Sequence, residues 1–181
     1  MNIIEKLKGQ IIVSSQAMPD EPFYREECML AMMKSVVNGG AGALRVAGQR
    51  DVRMAKKYFN IPVIGLTKPD KLPDNWQEIV YITPGEKEVY ELIEAGADII
   101  AFDGTQRKRP KNNTVNDLIR LIHNSGKLAM ADIATKEEGI LCASLGADII
   151  STTLSGYTKE SLNNLKTPDF ELLKNLVEST D

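Results

Sequence analysis

The sequence is poor in the residues that most often announce chemistry: 181 residues hold two cysteines, one histidine and one tryptophan. Cys28 and Cys142 fall in segments of helical pattern far apart in the chain, which fits buried small hydrophobes better than a disulfide or a nucleophile. His123 has no second histidine or cysteine at ligand spacing, so no metal is expected. Positive charge is short as well, with 22 Lys and Arg against 25 Asp and Glu and a net charge of -3. That removes the cationic surface on which general attraction to nucleic acid or anionic lipid depends. No apolar run approaches the ~18 to 20 residues that span a bilayer. The amino terminus lacks the basic-then-apolar order of a signal peptide, and the expected address is the cytoplasm.

What is present is a repeat. Glu94-Ala95-Gly96-Ala97-Asp98-Ile99-Ile100-Ala101-Phe102 returns as Ser144-Leu145-Gly146-Ala147-Asp148-Ile149-Ile150-Ser151-Thr152, with a looser copy at Gly39-Gly40-Ala41-Gly42-Ala43-Leu44-Arg45-Val46. In each, a helical pattern runs into a glycine suited to the left-handed position past a helix end, and an apolar strand follows at once. Strands that alternate with helices and read as near-continuous apolar runs belong to a parallel sheet covered on its faces. With 43% hydrophobic and 26% charged residues, one globular domain is expected over residues 1–181.

Taken in order, Met1 to Lys8 reads as a short leading helix. Strands follow at Ile11 to Ser14, Ala43 to Val46, Ile61 to Leu66, Asp98 to Phe102, Lys127 to Ala131 and Asp148 to Thr152. Between them lie helices Phe23 to Asn38, Gln49 to Tyr58, Glu86 to Ala95, Thr114 to Ser125 and one reaching Leu145, with a last helix Asp169 to Glu178 after a loop Thr153 to Pro168. Val80 to Thr83 reads as a short extended piece. Six βα units are visible, and since an eight-unit barrel takes roughly 250 residues, 181 correspond to about six of its units.

In parallel α/β folds the carboxyl ends of the strands carry the ligand. The exits of the six strands here are Gln16, Arg45, Lys68, Asp103, Asp132 and Thr152 with Thr153, a polar ring. Each has a plain alternative: Arg45 can pair with a loop carboxylate, Asp103 and Asp132 can cap the segments after them, and the threonines can be ordinary strand residues. All six exits together point to a small-molecule site. Lys68 is the sharpest member, because it follows an apolar strand and Pro69 favours extended geometry before it. Desolvation and a cation such as Arg45 would lower its pKa and make it a usable base; its other enzymatic role is a Schiff base with a carbonyl. A solvated lysine beside Lys71 is the bland alternative. Arg107-Lys108-Arg109 reads as a solvated loop, Trp76 as a loop cover, and Met29, Met32 and Met33 as packing between helix and sheet.

Ser14-Ser15-Gln16-Ala17-Met18-Pro19-Asp20-Glu21-Pro22, Ile64-Gly65-Leu66-Thr67-Lys68, Ala101-Phe102-Asp103-Gly104-Thr105 with Gln106-Arg107-Lys108-Arg109-Pro110, Met130-Ala131-Asp132-Ile133-Ala134-Thr135 and Ser151-Thr152-Thr153-Leu154-Ser155-Gly156-Tyr157-Thr158 follow one another along essentially the whole chain. In these motifs the sequence resembles the bacterial N-acetylmannosamine-6-phosphate 2-epimerases. The resemblance implies a TIM barrel and cofactor-free interconversion of N-acetylmannosamine 6-phosphate and N-acetylglucosamine 6-phosphate in cytoplasmic sialic acid catabolism. Lys68 looks like the family's catalytic lysine, and Gln16, Arg45 and Asp132 like its sugar-contacting residues; Asp103 and Thr153 join them as expected substrate-binding residues. Pro69 and Asp70 stand where the family has Arg and Tyr. The family's last two βα units, with a glutamate on the seventh strand and a phosphate-binding glycine loop on the eighth, are expected to be missing. Open strand edges and association into homo-oligomers are the expected results. A non-catalytic sugar-phosphate binder and another phosphosugar enzyme that uses Lys68 as a Schiff base are the alternative readings.

Overall fold

The computed structural model describes residues 2–162 and 167–180; Met1 of the expected leading helix and residues 163–166 of the expected last loop lie outside them. Six strands, β1 (Ile12–Ser15), β2 (Ala43–Ala47), β3 (Val63–Leu66), β4 (Ile99–Asp103), β5 (Leu128–Asp132) and β6 (Ile149–Ser151), pair in sequence order. Every neighbouring pair is parallel. Helix α1 (Ile3–Leu7) precedes the sheet, and α2 (Glu26–Asn38), α3 (Gly48–Tyr58), α4 (Glu86–Ala95), α5 (Val115–Asn124), α6 (Lys136–Ser144) and α7 (Phe170–Val177) follow the strands in turn. The expected alternation of strand and helix is therefore the one that forms. At its start α2 differs from expectation: Pro22–Tyr24 makes a separate 3-10 turn, and Arg25 is extended (φ -62, ψ 139) before the helix begins.

Strand alternation sorts the sheet into two faces. Leu44, Val46, Val63, Ile100, Phe102, Ala129 and Ala131 point outward into the main core, where Met29 and Met33 of α2 and Leu118, Ile119 and Ile122 of α5 meet them. Ile64, Leu66, Ile99, Ala101 and Met130 point inward and form a second core, with Ile3 and Leu7 of α1 packed against it. On a flat sheet β2 and β5, three strand spacings apart, would stand about 14 Å from each other. Yet Arg45 of β2 and Asp132 of β5 touch at 2.5 Å. Because strand side chains stand roughly perpendicular to the sheet, the contact requires the six strands to curl into part of a barrel, with α1 beneath its interior.

The repeated Gly-Ala-Asp now has a structural reason. Gly96 and Gly146 take φ of +94° and +95°, the left-handed turn that reverses helix into strand. The aspartate that follows reaches back to the amino end of the neighbouring, preceding strand. Asp98 accepts from Val63 N at 2.9 Å and pairs with Lys56 of α3 at 2.8 Å. Asp148 accepts from Ala129 N at 2.7 Å and meets His123 Nε2 at 2.8 Å. Each carboxylate thus ties a strand, its neighbour and the helix before that neighbour at the floor of the barrel.

Residues 80–83 are not a strand; they fill a gap. β3 and β4 pair only at Ile64 with Ile99 and Gly65 with Ile100. Above that level Thr83 N donates to Thr67 O at 3.1 Å, Thr83 Oγ1 donates to Ala101 O at 2.7 Å, and Asp103 N donates to Ile82 O at 3.0 Å. The segment completes backbone hydrogen bonds that the diverging strands leave open.

Among the described residues β1 and β6 each have a strand neighbour on one side only. β3 and β4 are buried throughout, whereas all three residues of β6 are half-buried and Ser14 of β1 is exposed. On α7, Leu172 and Leu176 pack inward while Phe170, Leu173 and Val177 form an outward apolar stripe with exposures of 70%, 48% and 72%.

Candidate active site

The inward register carries the site. Continuing the inward alternation past each strand end gives Ile12-Ser14-Gln16, Ala43-Arg45-Ala47, Ile64-Leu66-Lys68, Ile99-Ala101-Asp103 and Leu128-Met130-Asp132. Five of the expected site residues therefore belong to one face at the carboxyl ends of the strands. Thr153, in the 3-10 turn Thr152–Leu154 after β6, lies beside Asp132 and shares a 2.6 Å hydrogen bond with Ser151 Oγ.

Arg45 and Asp132 make the central pair, with side-chain exposures of 9% and 0%. Arg45 Nη2 donates to Asp132 Oδ2 at 2.5 Å, while Arg45 Nε and Asp132 Oδ1 are buried without a hydrogen-bond partner. A buried polar atom left bare costs about 1 to 3 kcal/mol, so the pair holds one unmet donor and one unmet acceptor in the interior. Burial holds the Asp132 carboxyl above its ordinary value, opposed by the Arg45 guanidinium and the Thr153 hydroxyl.

Lys68 stands at the rim, exposed as a residue and partly covered by the protein around it. Its pKa is lowered, first by burial of the amine against protein and then by the Arg45 charge, with Asp132 and Glu21 acting in the other direction. These are the two causes expected from the sequence. Gln16 and Lys68 line one cavity of about 390 Å³, together with Met18, Tyr24 and Arg50. The Arg50 guanidinium lies 4.4 Å from the centre of the Tyr24 ring.

Asp103 reaches the mouth but is already engaged. Its Oδ1 accepts from Thr105 N at 2.9 Å and Thr105 Oγ1 at 2.7 Å, and its Oδ2 accepts from Arg107 Nη2 at 2.6 Å. The expected substrate contact is thus bound to its own loop. Arg107-Lys108-Arg109 corrects the expectation of a solvated loop: only Lys108 is exposed. Arg107 has a side chain 8% exposed and also donates to Thr105 Oγ1 and to Gln77 O. Arg109, 5% exposed, donates to the carbonyls of Asp103 and Thr105, and burial lowers its pKa. The signal available in the sequence was Asp103 itself, since a buried carboxylate needs cations close by.

Sequence reasoning also passed over Tyr81. It packs edge-on against Trp76 with centroids 6.3 Å apart, and Trp76 meets Tyr157 at 6.2 Å. Burial and then the Asp103 charge raise the Tyr81 hydroxyl pKa, so its proton is firmly held and available to donate at the mouth. Trp76 therefore joins the inner core as well as covering the loop. Cys142 is buried, donates to Gly104 O at 3.3 Å, and has its pKa pushed up to about 12 by burial, which makes it a poor nucleophile.

A single mouth thus gathers a lysine of depressed pKa, a buried Arg–Asp pair with spare hydrogen-bonding capacity, an amide and two hydroxyls. The arrangement suits proton transfer on a polar substrate. Among the described residues no cluster of His, Cys, Asp and Glu could hold a metal ion, and no helix is long and apolar enough to cross a membrane.

Comparison with known proteins agrees with this architecture. A family model described as "Putative N-acetylmannosamine-6-phosphate epimerase" matches residues 29–180. Relatives named "Putative N-acetylmannosamine-6-phosphate 2-epimerase" include one from Clostridium perfringens, 44% identical over 178 residues, covering 98% of this chain and 78% of the relative. Another, from Clostridioides difficile, is 41% identical over 180 residues and covers 99% and 78%. The solved N-acetylmannosamine-6-phosphate 2-epimerase of Clostridium perfringens superposes with a TM-score of 0.92 at 42% identity, over 100% of this chain and 77% of that one. The six-stranded sheet is accordingly a large part of a TIM barrel, and the chain belongs to the N-acetylmannosamine-6-phosphate epimerase family.

Proposed function

We propose that this chain interconverts N-acetylmannosamine 6-phosphate and N-acetylglucosamine 6-phosphate by exchanging the proton at sugar C2. In the open-chain sugar, C2 lies next to the carbonyl, and its proton becomes acidic once the carbonyl oxygen is polarised. Lys68 is the base: its lowered pKa supplies more neutral amine near pH 7 than a free lysine has, and inversion is completed by a proton returned to the opposite face of C2 from solvent at the open mouth. Arg45 Nε, a buried donor without a partner, is available to the oxygen on which enolate charge develops. Asp132 Oδ1 is a matching free acceptor for a sugar hydroxyl or amide. Gln16, which shares the Lys68 cavity, and Thr153, next to Asp132, complete the substrate contacts. Asp103 contributes by fixing the wall of the site through Thr105 and Arg107. No step calls for a cofactor.

The observation that carries this reading is the Arg45–Asp132 pair with its bare Nε and Oδ1 beside a lysine whose pKa is lowered by partial burial and the Arg45 charge. A phosphorylated sugar does not cross membranes unaided, so the reaction belongs to the cytoplasm and, by the substrate's chemistry, to sialic acid catabolism. The described residues act as a single, incomplete barrel domain.

The test is C2 proton exchange in deuterated water, followed by proton NMR on N-acetylmannosamine 6-phosphate. Loss of the C2 proton signal with appearance of both epimers is expected. The open side favours a second reading: the outer edges of β1 and β6 are unpaired among the described residues, and three large apolar side chains of α7 face out. Such a face is expected to drive self-association, and the chain then serves as a sugar-phosphate binder without turnover. Binding without exchange at high protein concentration would favour that reading, and a compact monomer by light scattering would count against association.

A further inference from the structure

We propose that Arg107 is a positioning residue for Lys68: its guanidinium clamps the long loop that leaves β3 and so holds the protein around the lysine stem at the mouth. Lys68 is the second residue after β3 ends at Leu66, and the loop it opens runs to the start of α4 at Glu86. A connection of that length is expensive to order unless something outside it holds it. At its near end the loop is closed by its own threonines, with Thr67 N donating to Thr83 Oγ1 at 3.0 Å and Thr83 N to Thr67 O at 3.1 Å. The middle is held from another loop. Arg107 Nη1 donates to Gln77 O at 2.9 Å, while Nε donates to Thr105 Oγ1 at 3.0 Å and Nη2 to Asp103 Oδ2 at 2.6 Å.

The fork geometry matters. Three donors of one planar group point to three acceptors on two loops, and Asp103 anchors the group to β4 through a charge-assisted bond. Lys159 N also donates to Gln77 O at 3.3 Å, so the same carbonyl meets the segment after β6. The neighbour of Gln77 in sequence, Trp76, carries the aromatic contacts to Tyr81 and Tyr157. Without Arg107, the Gln77 end of the loop keeps the longer Lys159 bond, the exposed Lys159–Glu78 ion pair and the packing of Trp76 and Ile79, and the protein around the Lys68 stem loosens. More water then reaches the amine, and the partial desolvation that lowers its pKa is reduced.

The inference rests on Lys68 being the base only for its catalytic meaning, and its test reads the amine directly. The rate of Lys68 acetylation by acetic anhydride is followed against pH by peptide mass spectrometry, with Lys71 of the same loop as internal reference. In the native chain the Lys68 midpoint should lie below the ordinary lysine value. Arg107→Lys keeps the charge and loses the fork, and it should move the Lys68 midpoint upward while leaving Lys71 in place. A rise of half a pH unit corresponds to about a threefold loss of neutral amine near neutrality. Arg107→Gln should do the same, and Lys108→Ala, at an exposed neighbour, should not.

An unchanged Lys68 midpoint in both Arg107 variants, with native circular dichroism and unfolding midpoint, overturns the proposal. So does outright unfolding of Arg107→Lys, which would make the residue one of general stability. If C2 exchange is measurable, the acid limb of its pH profile moves the same way as the acetylation midpoint. Absence of exchange in the native chain removes the epimerase reading and leaves the acetylation result standing.

Discussion

Asp98 and Asp148 sit at the floor of the barrel, Asp103 and Asp132 at its mouth, and the four carboxylates are treated differently. At the floor, each is partly open to solvent and satisfied by a backbone N–H of the neighbouring strand and a side chain, Lys56 or His123, from the helix before that strand. At the mouth, both are fully buried; Asp103 is saturated by Thr105 and Arg107, and Asp132 keeps one oxygen bare. Floor carboxylates hold strands in register, and their side-chain partners are replaceable. The mouth separates a carboxylate that builds the wall from one whose hydrogen bonding is unfinished, which is the condition for receiving a ligand.

Breaking the mouth at its base should have the largest effect. Lys68→Ala is expected to lower C2 exchange by about 10²- to 10⁴-fold, the usual contribution of a positioned proton-transfer group, with the unfolding midpoint unchanged. Native exchange should rise with pH as the Lys68 amine loses its proton and level off below the ordinary lysine range, because its pKa is lowered and the neutral amine is the active form. A rate independent of pH across that region would remove the lysine from the mechanism.

Next in size is the buried pair. Arg45→Met strands the Asp132 carboxylate in the interior and should cost about 3 to 5 kcal/mol of stability in urea titration at neutral pH. The loss should shrink at low pH. Burial holds the Asp132 pKa above its unfolded value, so below that unfolded value the group is neutral in both states and the penalty vanishes, and it grows as pH rises through the folded value. A loss independent of pH would deny that the stranded charge is its cause.

The floor should respond less. Asp148→Ala leaves Ala129 N without its 2.7 Å acceptor and is expected to cost about 1 to 3 kcal/mol, with the pH profile of exchange unmoved. Smallest of all, Lys56→Met removes only the partly exposed partner of Asp98, and the change should stay within about 1 kcal/mol. If Lys56→Met proved as damaging as Arg45→Met, the distinction between floor and mouth would fail.

The alternation of strands and helices was legible because each unit repeats the same local grammar: an amphipathic helix, a glycine with positive φ at Gly96 and Gly146, then a run of β-branched residues. The strand exits were legible because inward and outward positions alternate, so Arg45, Lys68 and Asp132 fall on one face by counting alone. The Asp103 loop was not. Nothing local tells Arg107 and Arg109 apart from a solvated basic stretch; their burial follows from Asp103 and Gln77, which the chain brings to them through the fold. The roles of Asp98 and Asp148 escaped for the same reason, since their partners Val63 and Ala129 belong to neighbouring strands. Residues 80–83 read as a short extended piece because they are apolar and β-rich; that they complete the hydrogen bonds of β3 and β4 where these part could be seen only in the fold.

That insertion has a consequence for how such an enzyme can be altered. The amine at position 68 is flanked on one side by a borrowed segment instead of a strand of the frame, so its surroundings can be retuned without disturbing the barrel's register. A laboratory selection for a shifted pH optimum should collect its changes between Ile79 and Pro84, and leave the regular strands untouched.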